Sequence, residues 1–190
     1  MDREKRQMRC ITSEFNTRED GGDLFIEGYF AVFNSNYNIW QGASESIAPG
    51  AFSDTLGEDI RSLINHETRL VLGRNKAGTL ELREDSHGLW GRIWINPKDQ
   101  DAMNLYERVK RGDVDQSSFG FDIIEEDTEV REDGSVHWTI KKVKLYEVSV
   151  VTFPAYEETS VAARKKDFEE ILKRKADAWR EKTLKILKGE

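Results

Sequence analysis

The stretch Gln116-Ser117-Ser118-Phe119-Gly120-Phe121-Asp122-Ile123 holds two hydroxyls in a segment rich in strand-forming residues. In an extended strand Ser117, Phe119, Phe121 and Ile123 share one face, and Ser118, Gly120 and Asp122 share the other. The aromatic face belongs in a core. Ser118 then points the opposite way, beside a glycine that leaves room for another backbone to approach. A hydroxyl on a rigid strand next to open space is a workable nucleophile, provided a base removes its proton. A strand serine is far more often a tolerated polar residue, so Ser118 alone assigns nothing.

The base must come from His66, His87 or His137, the three histidines of the chain. His87 lies in Glu84-Asp85-Ser86-His87-Gly88, which reads as a hairpin turn, and His137 follows the charged turn Arg131-Glu132-Asp133-Gly134 at the start of a strand. His66 ends the apolar Leu63-Ile64 run and is the best placed of the three. A third group would orient and charge-stabilise that ring. Glu147 shares a strand face with Val143, Leu145, Ser149 and Val151, where a carboxylate is costly unless it is paired. Either an Arg or Lys in a structural ion pair or the Nδ1–H of a histidine would satisfy it. The order His66, Ser118, Glu147 differs from the chymotrypsin, subtilisin and α/β-hydrolase orders, and there is no Gly-x-Ser-x-Gly elbow. No phosphate-cradling glycine loop, His-Glu-x-x-His or dinucleotide fingerprint is present either.

These groups need strands to hold them. Strands are expected at Leu24 to Phe33 (with a bulge at Gly28), Arg61 to Asn65, Leu70 to Gly73, Gly78 to Leu82, Gly88 to Ile95, Ser117 to Glu125 and Val136 to Val151. Residues 1–16 read as loose or as an edge strand, residues 34–50 as a loop, and Ala51 to Leu56 as a short helix. Lys98 to Lys110 carries Ala102, Leu105, Tyr106 and Val109 at helical spacing with Gly112 just beyond. Residues 164–188 form a long helix with Phe168, Leu172, Ala176, Trp179, Thr183 and Leu187 on one stripe. The pattern predicts a mainly β chain: an antiparallel barrel or sandwich with packed helices. No internal repeat is evident.

Composition limits the function. The 190 residues fit one domain (1–163) with a helical appendage (164–190), and the 9 Phe, 5 Trp and 5 Tyr supply a real core. Residues 1–163 carry 19 Lys+Arg against 30 Asp+Glu, and residues 164–190 carry 10 against 6. An acidic body argues against nucleic acid as a partner. No apolar run approaches the roughly 18 residues needed to span a bilayer, and the charged start lacks a signal peptide's apolar stretch. One cysteine, Cys10, cannot form an internal disulfide, and with three scattered histidines it makes a poor zinc set. A reducing cytoplasm fits this usage.

The motifs Glu27-Gly28-Tyr29-Phe30-Ala31-Val32-Phe33, Ile47-Ala48-Pro49-Gly50-Ala51-Phe52, Asn65-His66-Glu67, Val71-Leu72-Gly73-Arg74, Gly78-Thr79-Leu80, Ser118-Phe119-Gly120-Phe121 and Glu147-Val148-Ser149-Val150-Val151-Thr152-Phe153-Pro154-Ala155 occur in that order. Together they resemble the prohead maturation proteases of tailed bacteriophages over roughly residues 24 to 160. The resemblance implies a serine endopeptidase with a compact β-barrel similar to the herpesvirus assemblins. It would act inside the assembling procapsid in the host cytoplasm, remove scaffolding segments from the major capsid protein, and process itself. His66 and Ser118 fall on the family's histidine and serine, and Glu147 is the expected third member. Ser117 replaces the apolar residue common before the nucleophile, which leaves it as a rival hydroxyl. Backbone N–H groups would bind the oxyanion, with Arg74 as a further candidate whose ordinary role is loop anchoring. No cofactor or metal is required. With His66 as base, activity should fall as pH drops through its pKa, about 6.5 when unperturbed. The tail helix would pack on its own body, on a second copy, or on scaffold or capsid subunits. The rival readings are a non-catalytic module that organises capsid subunits and a ligand-binding β-barrel without His–Ser proximity.

Overall fold

The computed structural model describes residues 7–12, 15–153 and 158–188. In chain order these form β1 (Gln7–Thr12), β2 (Asn16–Asp20), β3 (Asp23–Val32), β4 (Tyr37–Trp40), β5 (Ala43–Ile47), β6 (Arg61–Ile64), β7 (Glu67–Arg74), β8 (Leu80–Glu84), β9 (Gly88–Ile95), α1 (Gln100–Arg111), β10 (Gln116–Val130), β11 (Val136–Val151) and α2 (Glu158–Lys188). The chain divides into two compact units, Met1–Tyr156 and Glu157–Glu190.

Two sheets build the first unit. One runs β2-β3-β9-β8, each neighbour antiparallel. The other runs β1-β10-β11-β5-β4, with β6 joined to β11 and β7 joined to β6. Strand β11 has 16 residues, long enough to pair with β10 along one edge and with β5 and then β6 along the other. Both of those last pairings are parallel, which the antiparallel expectation missed. The mainly β architecture with helices holds, but the sheets do not close into a barrel among the described residues, because β1, β4 and β7 remain as edges.

The core joins Ile26, Phe30, Leu89 and Ile93 of one sheet, Phe119, Phe121, Val148 and Val150 of the other, and Phe52 from the turns between β5 and β6. Phe119 and Phe121 stack with centroids 4.8 Å apart, and Phe52 meets Phe119 edge-on at 5.5 Å. Each such ring contributes roughly 1.5–3 kcal/mol by leaving water, so the strand carrying Ser118 is held firmly. Helix α1 forms as its pattern predicts. Asp99 accepts from the backbone N–H of Asp101 and Ala102, Gly112 ends the helix at φ 82°, and Ala102, Leu105, Tyr106 and Val109 are buried.

Three local expectations need correction. Residues 34–50 contain β4 and β5, whose polar Ser44, Glu45 and Ser46 hid a strand that β11 stabilises from a distance. Ala51 to Leu56 forms consecutive turns, with the Phe52 N–H donating to Glu84 at 2.9 Å. The irregularity in β3 falls between Tyr29 and Ala31, while Gly28 pairs regularly with Gly91. In the second unit α2 starts at Glu158, six residues before the expected helix, and Leu172, Trp179, Leu184 and Leu187 are exposed. None of the helices is long and apolar enough to cross a membrane among the described residues.

Candidate active site

His66 stands on the two-residue turn Asn65-His66 between β6 and β7, with φ of 49° and 61°. Paired left-handed residues suit the right-handed twist of a tight hairpin, but a histidine there carries a strain of about 1–3 kcal/mol. The neighbouring end of β11 holds the turn. The Asn65 N–H donates to the Val150 carbonyl at 3.1 Å, Asn65 Oδ1 accepts from the Thr152 N–H at 2.9 Å, and the His66 N–H donates to Ser149 Oγ at 3.3 Å.

This places the imidazole against Glu147. Nδ1 lies 2.7 Å from Glu147 Oε1, and the carboxylate is 4% exposed. Ser149 Oγ donates to the other oxygen, Oε2, at 2.6 Å. The alternation along β11 explains this: Glu147 and Ser149 are two residues apart and share a face. Of the two partners open to Glu147, the structure supplies the histidine.

Ser118 sits in the middle of a cross-strand row. It lies directly opposite Ser149 on β11 and opposite Cys10 on β1. Directly opposed residues project to the same face, with neighbouring strands about 4.8 Å apart. Ser149 bonds the His66 backbone, and the Cys10 thiol acts on the His66 ring. Ser118 is therefore bracketed by two residues that both reach His66. It is fully buried, and neither Ser118 Oγ nor His66 Nε2 makes a hydrogen bond of ordinary length and angle. The open space expected beside Ser118 is absent: the residue is fully buried, with β1 paired along one side of its strand and β11 along the other.

Burial pushes the His66 pKa down. Hydrogen bonding to Cys10 and Glu147, together with the charge of the Glu147 carboxylate, more than reverses this and raises it to about 9. In this arrangement the ring is an imidazolium at neutral pH, above the ordinary value that the sequence alone suggests.

The other candidates are occupied elsewhere. Ser117 Oγ donates to the Tyr29 carbonyl at 3.0 Å. His137 has both nitrogens engaged, Nδ1 with Ser44 Oγ and Nε2 with Ser46 Oγ, each at 2.9 Å. His87 packs edge-on against the Tyr29 ring at 4.5 Å. Arg74 grips Asp59 with two bonds of 2.6 and 2.8 Å, the anchoring role rather than an oxyanion contact. Sequence reasoning left Ser149 and Cys10 without roles. Ser149 was legible as a facemate of Glu147, whereas nothing local marks Cys10. Beside Glu147 a cleft of about 290 Å³ is lined by Leu63, Thr68, Val71 and Tyr146. Among the described residues no group of three His, Cys, Asp or Glu is placed to hold a metal ion.

Residues 12–174 match the caudovirus prohead serine protease family. The prohead protease of Enterobacteria phage HK97 is 31% identical over 157 residues, which is 80% of this chain and 65% of that relative. This chain thus spans somewhat under two thirds of the relative's length. The solved structure of the bacteriophage T4 capsid assembly protease superposes with a TM-score of 0.54 at 12% identity, covering 79% of this chain and 98% of that one. The second likeness is one of fold.

Proposed function

The chain belongs to the caudovirus prohead serine protease family, and on that premise we propose that it is a serine endopeptidase working by acyl transfer. Ser118 Oγ attacks a peptide carbonyl while His66 Nε2 takes its proton. The proton then passes to the leaving amine, and water, activated by the same base, hydrolyses the acyl-enzyme. Glu147 accepts the Nδ1–H, fixes the tautomer and stabilises the imidazolium, and Ser149 steadies Glu147. Backbone N–H groups stabilise the oxyanion. The hydroxyl and the ring come into contact as the site tightens on substrate, as in other catalytic sites.

One observation carries this reading: an unbonded, buried hydroxyl bracketed by two residues that reach a carboxylate-backed histidine. The substrates that fit the family and the named relatives are the phage capsid protein with its scaffolding segment, and the chain itself, within the assembling procapsid of the host cytoplasm. Residues 1–163 would carry the chemistry, and the helix 164–190 would contact its own body, a second copy or scaffold. The assemblin likeness belongs to the same proposal, with the two sheets as an opened form of the compact barrel.

Co-expression with a scaffold–capsid precursor tests it. Ser118→Ala should lower cleavage by on the order of 10^6-fold, as for other serine nucleophiles. It should leave the melting temperature intact, since no partner loses a bond. Ser117→Ala should keep cleaving. Full processing by Ser118→Ala would remove this serine from the mechanism and favour a non-catalytic assembly role.

A further inference from the structure

We propose that β1 is an inhibitory strand built into the fold, occupying the edge of β10 along which an extended substrate peptide would bind and covering Ser118 until it is displaced. The inference rests on the serine-peptidase reading above and adds the regulation of that site. All six residues of β1 pair in register with Gln116–Phe121, with Cys10 opposite Ser118. Ser118 is 0% exposed, its hydroxyl is buried without a bond, and Cys10 of β1 lies directly opposite it, so no peptide carbonyl reaches it in this arrangement.

β1 ends its sheet, so its departure would leave β10 with a row of unpaired N–H and C=O groups. Such an edge accepts an extended peptide as an added strand, with backbone bonds giving affinity. A peptide in the place of β1 would bring one residue directly against Ser118. The family match begins at residue 12, so all of β1 except its last residue precedes the shared region. Cys10 from β1 also joins Glu147 from β11 in favouring the charged form of His66, which cannot accept a proton.

Besides its backbone pairing, β1 is held by a side-chain latch. Arg9, on the face opposite Cys10, pairs with the buried carboxylate of Glu45 on β5, its second contact to Oε2 being 3.0 Å, and lies 5.7 Å from the centre of the Phe121 ring. Arg9→Ala with Glu45→Gln removes the latch without leaving a buried charge unpaired.

Cys10 is the chain's single cysteine and is half-buried, so an increase in maleimide labelling above the rate of the unaltered folded chain reports the release of β1. In the full chain the double variant should raise the Cys10 labelling rate about tenfold or more by lowering the cost of local opening, and Ser118 should react faster with a fluorophosphonate in parallel. The unaltered chain provides the second arm. A synthetic peptide copying residues 5–14 and carrying Cys10→Ser should raise Cys10 labelling saturably by taking the strand's place. Flat labelling across the peptide titration, or equal phosphonylation of Ser118 with and without the latch, overturns the proposal. Repeating the labelling in Ser118→Ala separates it from the peptidase reading. Strand release persists there if β1 is the cover, whatever happens to cleavage.

Discussion

The two ends of β11 each hold a histidine, and they are built on opposite plans. At its start His137 is clasped between Ser44 and Ser46, both ring nitrogens bonded to neutral hydroxyls. Burial lowers its pKa, helped by the nearby charge of Arg131, so it stays neutral. Toward the far end His66 has one nitrogen on a buried carboxylate and the other without an ordinary bond, on a backbone turn with positive φ. Its pKa is raised to about 9. A histidine with every valence satisfied contributes structure. One that keeps a nitrogen in reserve, backed by a charge and held in a strained turn, is equipped to move a proton.

The sharpest contrast comes from paired substitutions. Under the proposed function His66→Ala lowers precursor cleavage by on the order of 10^6-fold, while His137→Ala leaves it within about twofold. The His137 change instead exposes its role in unfolding by urea, costing about 1–3 kcal/mol as the buried Ser46 hydroxyl and the half-buried Ser44 hydroxyl lose their partner. Equal losses of cleavage at both positions would erase the distinction.

Glu147→Gln turns the His66 site towards the neutral plan of His137. It retains the shape, removes the charge, and lowers turnover by roughly 10^4-fold, measured by single-turnover kinetics. An unchanged rate would mean that the carboxylate serves only the fold. Ser149→Ala is milder, about 10- to 100-fold in turnover, because it loosens Glu147 and the His66 turn without removing a reacting group. A kcat that does not move would deny Ser149 its positioning role.

The smallest effect is in stability against pH, and the two histidines have opposite signs. His66 has a folded pKa above its unfolded value of 6.5, so its contribution is complete below pH 6.5 and is lost as pH rises towards about 9. His137 has a lowered folded pKa, so its contribution is present above pH 6.5 and is lost as pH falls below that. Unfolding free energies across this range in Glu147→Gln should show a smaller alkaline slope, reduced to the part Cys10 supplies, and an unchanged acidic one. An undiminished alkaline slope would detach it from the His66–Glu147 pair.

Much of this was legible locally. Alternation placed Phe119 and Phe121 in the core and turned Ser118 away from them, and the same period put Glu147 on a buried face with Ser149. Helical spacing and the Gly112 stop defined α1. The strands β4 and β5 were not legible, because Ser44, Glu45 and Ser46 carry no apolar run and gain their order from β11. The antiparallel barrel was not borne out: β5 and β6 pair parallel to β11, and β1, β4 and β7 remain as edges among the described residues.

From composition, period and motif order alone came the family, the strand that presents Ser118, and the short list of groups able to assist it. Tertiary structure alone decided which of these meet. It engaged Ser117 with a distant carbonyl, sealed both nitrogens of His137, and turned Glu147 towards His66 rather than towards a cation. It also laid Cys10 across from Ser118. The reason is physical: a residue's face follows from its neighbours along the chain, but its partners follow from backbone pairing between segments far apart, which no local pattern records.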